Sequence, residues 1–186
     1  MKISFLILYV LIFSILSGCS NNLTKDVYQH TKYGVGENTQ TAFIALSNIT
    51  LDESTLEKII DDYSKEKNKT RKFLYEYLLA KRTQENSYAS EFIKNSRLNS
   101  ALFLKNNTNW ISIGSPFLEQ LSMYSITNDD ALLILMELVI ESDGSNQSVI
   151  ASDLRVAYEI NPDRFLMVAK EMNYEVKKIL LLMEDE

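Results

Sequence analysis

From Thr41 onward the apolar residues recur at steps of three and four, and that spacing confines the chain to helical folds. Leu56, Ile59, Ile60 and Tyr63 stand at the i, i+3, i+4, i+7 positions of one helix face. Leu74, Tyr77, Leu78 and Lys81 repeat the spacing, and Phe73 and Ala80 widen that apolar stripe. Ile150, Leu154, Ala157 and Tyr158 mark a further helix, and Val176, Ile179, Leu180 and Met183 the last one. Residues 87–105 read as helix broken near Asn95-Ser96, followed by a turn at Asn106-Asn107-Thr108-Asn109. Only Trp110-Ile111-Ser112-Ile113 offers a strand pattern, and it is too brief to found a sheet. The prediction is an all-α domain.

Polar side chains mark where these helices begin. Ser54-x-x-Glu57 has the form of a capping box. Ser115-Pro116 and Asn161-Pro162 each place a capping residue before a proline, whose missing N–H is harmless at the first helical position. Asn128 is a cap for the next helix, which is expected to run to about Glu141 and end near Gly144.

Two segments share a faint internal likeness. Phe117-Leu118 leads to the Leu132–Glu137 run, and Phe165-Leu166 leads to Ile179–Glu184, with Phe73-Leu74 as an earlier copy. These phenylalanines lie 44 and 48 residues apart, near the roughly 40–47 residues of HEAT-type helical repeats. A helical hairpin cannot bury its apolar face alone, so stacked copies would share one core. The spacing resembles a short HEAT-like solenoid, and an irregular helical bundle is the alternative.

The N-terminus follows other rules. Lys2 precedes an apolar run from Ile3 to Leu16, interrupted only by Ser4 and Ser14. A membrane-spanning helix needs about 20 apolar residues, so the run reads as a secretory signal. It ends in Leu16-Ser17-Gly18-Cys19, an aliphatic residue, two small ones and a cysteine. That ending resembles the lipobox of bacterial lipoproteins, and the resemblance covers the first twenty or so residues. It implies cleavage before Cys19 and covalent lipid on the Cys19 thiol, with two or three acyl chains. Two chains suffice for stable anchoring where one does not. Ser20 in place of aspartate implies sorting to the outer membrane, facing the periplasm. In an organism with a single membrane it implies the outer face of that membrane. The expected organisation is a signal peptide over residues 1–18, a lipidated flexible tether over 19–40 and one helical domain over 41–186.

Charge and cysteine content then remove several functions. Without the signal, 18 Lys and Arg face 25 Asp and Glu. So acidic a chain is poorly suited to nucleic acid, where affinity rests on cations neutralising phosphates. By net charge the body is also expected to stand off anionic headgroups. Cys19 is the only cysteine, so the body has no disulfide and no thiolate metal site. No metal and no cofactor beyond the lipid is expected.

Catalytic patterns are few. His30 is the only histidine and falls in the expected tether, which leaves no Ser-His-Asp triad and no multi-histidine zinc site in the body. Ser64-x-x-Lys67 has the spacing of an acylating motif, without the Lys-Thr-Gly that completes it, and reads as a solvated helix end. Asp143-Gly144-Ser145-Asn146 fails as a calcium loop, because Val139 and Ile150 would occupy its first and last ligand positions. Glu137, inside the most apolar helix, is the weak candidate for a buried general acid. Asp130, Glu137 and Glu141 also fit the single wet edge of a mostly buried helix, the preferred reading. Trp110 is the candidate partner-binding residue, weighed against core packing.

The sequence therefore predicts a membrane-anchored, non-enzymatic module that binds a protein partner in the envelope, as an assembly factor or a toxin-immunity protein. The alternatives are a cell-wall hydrolase using an acidic residue, or a small-ligand or lipid carrier with Ala131–Ile140 lining a cavity.

Overall fold

The computed structural model describes residues 23–83, 85–104, 110–142, 144–171 and 176–184. Among these the secondary structure is helical, with no strand. Helix α1 covers residues 23–30. It is followed by α2 (Glu37–Asn48), α3 (Glu53–Lys65), α4 (Lys69–Thr83) and α5 (Asn86–Ser96). A 3-10 turn, Arg97–Asn99, leads into the short α6 (Ser100–Leu104). Then come α7 (Trp110–Ser125), α8 (Asp129–Glu141), α9 (Gly144–Ile160), α10 (Pro162–Ala169) and α11 (Val176–Glu184). The chain groups into two compact units, one reaching to Leu78 and the other starting at Leu79, so α4 contributes to both.

The first unit is built on α4, whose residues 73 to 80 are all buried. Phe43 and Leu46 of α2, Ile59 of α3 and Phe73, Leu74, Tyr77 and Leu78 of α4 have no exposed surface. Phe43 meets Tyr75 edge to face at 4.7 Å, a geometry that favours aromatic pairs beyond their buried area. Asp52 caps α3, its Oδ1 accepting from the Thr55 amide at 2.8 Å. The capping box expected at Ser54 and Glu57 is thus displaced: α3 begins at Glu53, and Ser54 donates to Asp52 instead.

The segment read as a tether is helical from residue 23, and its Tyr28, Thr31 and Thr39 are buried. The Thr31 hydroxyl donates to the Tyr28 carbonyl at 2.7 Å, and that of Thr39 donates to the Tyr33 carbonyl. Polar side chains that satisfy themselves on nearby backbone can be buried cheaply, so composition alone misreads the segment. Gly34, at φ +70°, supplies the left-handed residue of the turn between α1 and α2.

In the second unit α8 is central. Ala131, Leu132, Ile134, Leu135, Met136, Leu138 and Val139 are buried against α7, α9 and α10, with α5, α6 and α11 closing the ring. Its wet edge runs through Asp130, Leu133, Glu137 and Glu141, while Ile134 faces the core. Helix α11 packs on α9 and α8, so the helices around α8 form a bundle. Phe103 on Phe117, Phe92 on Tyr124 and Tyr158 on Phe165 join α6 to α7, α5 to α7 and α9 to α10.

Caps at Asn128 and Asn161 hold as expected, their side chains accepting from the Ala131 and Arg164 amides at 2.9 and 3.0 Å. Residues 110–113 open α7, in keeping with the all-α prediction. Two local readings differ. Pro116 therefore lies inside α7, not at its first position, and costs the helix one backbone bond. Ser142 is the C-cap of α8, and Gly144, at φ +52°, opens α9.

Candidate functional site

The expected anchor residues Leu16, Ser17, Gly18 and Cys19 lie outside the described residues. Trp110 is the first residue of α7, and its side chain also lies outside them.

Glu137 sits on the wet edge of α8 and is held by Arg97. The Arg97 Nε and Nη2 donate to its two oxygens, each at 2.8 Å. A bidentate pair of this kind fixes the carboxylate geometrically and commits both oxygens. The sequence leaves this pairing hidden, because Arg97 lies on another element 40 residues away. Ser64 donates to the Asp61 carbonyl at 2.6 Å, as the end of a helix does. Among the described residues no three His, Cys, Asp or Glu side chains cluster as metal ligands do.

Two clefts lie in the first unit. One, of about 400 Å³, is lined by Val27, His30, Asn38, Thr41, Ala42 and Ala45 and is mainly apolar. The other, of about 330 Å³, gathers Lys32, Lys65, Lys67 and Arg71 with Asp62, Glu66 and Tyr75. In it Lys32 and Tyr28 both meet the Asp62 carboxylate. Arg71 pairs with Glu66 and donates to the Lys32 carbonyl at 3.2 Å. Burial pushes the Tyr28 hydroxyl up to about 12, with Tyr75 and Asp61 adding to the shift. Burial also lowers the Lys32 ammonium, and neighbouring Arg71 lowers it further. Glu66 is resisted by burial yet ends below its usual range, because hydrogen bonds from Arg71 and the Asn68 amide win. Sequence reading recognises the Lys65-Glu66-Lys67 helix end but not its closure with Lys32.

In the second unit a cleft of about 350 Å³ is lined by Ala80, Lys81, Asn86, Glu119, Met123 and Tyr124 among others. Near Glu119, on α9, burial raises the Asp153 carboxyl above its usual range; Ser122 opposes the shift and Glu119 adds to it. The apolar segment Ala131–Ile140, which the carrier alternative places along a cavity, lines none of these three clefts, and seven of its side chains are buried.

The outer face of α9 is unusual in what it exposes. Val149, Val156 and Ile160 are 40%, 47% and 57% exposed. Between Val149 and Ile160, Ser152 and Glu159 are also exposed, and Asp153 and Arg155 are half-buried. The three aliphatic residues recur at steps of seven and four, hence along one side of the helix. No protein-family model, curated protein or solved structure matches this chain.

Proposed function

We propose that this chain is a lipid-anchored, non-enzymatic binding module of the bacterial envelope that engages a protein partner through the outer face of α9. The observation that carries the reading is the aliphatic stripe Val149, Val156 and Ile160, exposed in a helix whose other face is fully used by the core. Aliphatic side chains exposed along one side of a helix suit a partner contact, and a helix face of this spacing is a common docking element. The lipobox resemblance at Leu16–Cys19 supports attachment through Cys19. Ser20 supports an outer-membrane, periplasm-facing location, or the outer surface where there is one membrane. An envelope assembly factor and a toxin-immunity protein both fit this description.

A photo-crosslinking amino acid at Ser152, in the full-length protein in cells, is expected to yield a discrete protein adduct. Val156→Asp with Ile160→Asp is expected to abolish that adduct without changing helix content. Absence of any protein adduct along the stripe refutes the binding face. Attachment is checked separately by metabolic incorporation of a tagged fatty acid, which Cys19→Ala must abolish.

A cell-wall hydrolase is the second reading, and it moves from Glu137 to Glu119 and Asp153. Glu119 lines a cleft, and on neighbouring α9 burial raises the Asp153 carboxyl, with Glu119 adding to the shift. It requires that the wild-type protein release soluble fragments from peptidoglycan and that Glu119→Gln lose the release. No release by the wild type disposes of it.

A further inference from the structure

Leu23, the first described residue of α1, puts an upper bound on the distance between Cys19 and the folded body. Only Ser20, Asn21 and Asn22 separate Cys19 from Leu23. Fully extended, that link spans about 14 Å. Helix α1 adds about 12 Å along its axis. A tether reaching to residue 40 would let the body leave the surface; this link holds α1 within a few Debye lengths of it at most, one such length being about 10 Å.

What lies beside α1 is suited to such a surface. Leu23 at its start is 62% exposed, and Tyr33 in the turn after its end is 72% exposed. Leucine and tyrosine gain by entering a headgroup layer, tyrosine because its ring is amphipathic. The same turn abuts the corner between α3 and α4, since Arg71 donates to the Lys32 carbonyl at 3.2 Å. Residues 65–72 carry Lys65, Lys67, Lys69, Arg71 and Lys72 against Glu66, with Asp61 and Asp62 beside them on α3; Lys65 pairs with Asp61 and Arg71 with Glu66, and Lys67 and Lys69 are exposed. The charge is locally reversed in a chain whose net charge is −6.

We propose that α1 and the cationic α3–α4 corner rest on the anionic headgroups of the membrane that holds the Cys19 lipid. The proposal rests on the lipid-anchor reading above and adds to it a second point of contact. Two weak contacts on one short link act together, because the first holds the second at high local concentration. Each exposed lysine near an anionic surface shifts the docking equilibrium by about fivefold.

The test uses the full-length lipidated protein in vesicles of phosphatidylethanolamine with phosphatidylglycerol, and in vesicles of phosphatidylcholine alone. Lipid occupies Cys19, so Gln29→Cys, on the exposed face of α1, supplies the free thiol for a nitroxide label. Accessibility of the label to a water-soluble relaxant is expected to fall about fivefold or more on the anionic vesicles. Salt at ~0.5 M, where screening is short-ranged, is expected to restore it. Lys67→Glu with Lys69→Glu is expected to restore it at low salt, with circular dichroism unchanged. Equal accessibility on both vesicle types, with the protein floating on both, overturns the headgroup contact and leaves the anchor standing. Equal shielding by inorganic phosphate without vesicles overturns it in favour of a soluble-anion site. Failure to float with either vesicle overturns both readings together.

Discussion

Arg164 is the residue on which the α7–α8 turn depends, and its removal has a calculable cost. Its Nη1 donates to the Ser125 and Ile126 carbonyls, each at 2.9 Å, and its Nε to Asp129 Oδ1 at 2.7 Å. The two carbonyls belong to the C-terminal end of α7, where the helix dipole favours a cation. The Arg164 side chain is only 16% exposed, whereas Asp129 is 57% exposed. Hydrogen bonds involving a charged partner contribute about 1.5–3 kcal/mol each, and the exposed ion pair contributes about 1 kcal/mol or less. Partial rehydration of the carbonyls brings the expected loss for Arg164→Ala to about 3 kcal/mol. With a urea slope of about 2 kcal/mol/M, the unfolding midpoint should drop by about 1.5 M. Far-UV circular dichroism and Trp110 emission follow the transition. Asp129→Asn should cost about 1 kcal/mol or less. Arg164→Lys should fall between, keeping the charge but losing the planar fork. A loss below about 0.5 kcal/mol for Arg164→Ala, or an equal loss for Asp129→Asn, refutes the assignment of the stability to the carbonyl contacts.

Three further outcomes follow from the side-chain environments. Glu137→Gln removes a pair that is half-exposed on the Arg97 side, so urea denaturation should show a loss of about 1 kcal/mol or less. Glu66 is held below its usual range in the fold, so its contribution is complete above the unfolded carboxylate pKa of about 4.3 and is lost as pH falls through the depressed value. Acid titration of Glu66→Gln, followed by circular dichroism, should therefore lack part of the acid-side destabilisation seen in the parent. Asp153 has the opposite sign: its raised carboxyl makes the fold less stable as pH rises above about 3.9. Asp153→Asn should raise the thermal midpoint at pH ~7 relative to the parent, with the difference shrinking toward pH ~4.

How much of this fold the residues announce depends on the length of each element. The face Leu56, Ile59, Ile60, Tyr63 spans two turns and reads correctly as α3. Asn128 and Asn161 read correctly as caps because the backbone they bond lies three residues away. The described part of α1, residues 23–30, carries little apolar periodicity. Thr24 within it and Thr31 just after it are buried yet look like loop residues in composition. Ser115-Pro116 misleads for another reason: a proline inside a helix is costly but tolerated where packing holds the helix, and Phe117, Leu118 and Leu121 of α7 are buried. Site geometry is less legible still. The partners of Glu137, Asp62 and Arg164 lie 30 to 40 residues away in sequence, and only the fold brings them together.

Net charge is the property most changed by this geometry. Averaged over the chain it argues against any contact with anionic lipid, because repulsion is assigned to the molecule as a whole. Screening makes that average irrelevant beyond about 10 Å, and what a surface meets is the charge held within that distance of it. With Leu23 only four positions after the lipidated cysteine, the groups so held are Lys25, Asp26, Lys32, Asp52, Asp61, Asp62 and the Lys65–Lys72 corner. Asp61, Asp62 and Glu66 are committed there to Lys65, Lys32 and Arg71, which leaves Lys67 and Lys69 as the exposed unpaired charge of the corner. Reversal at Lys67 and Lys69 should accordingly free the Gln29 label at low salt. A label that stays shielded after both reversals would show that these two lysines do not govern the contact.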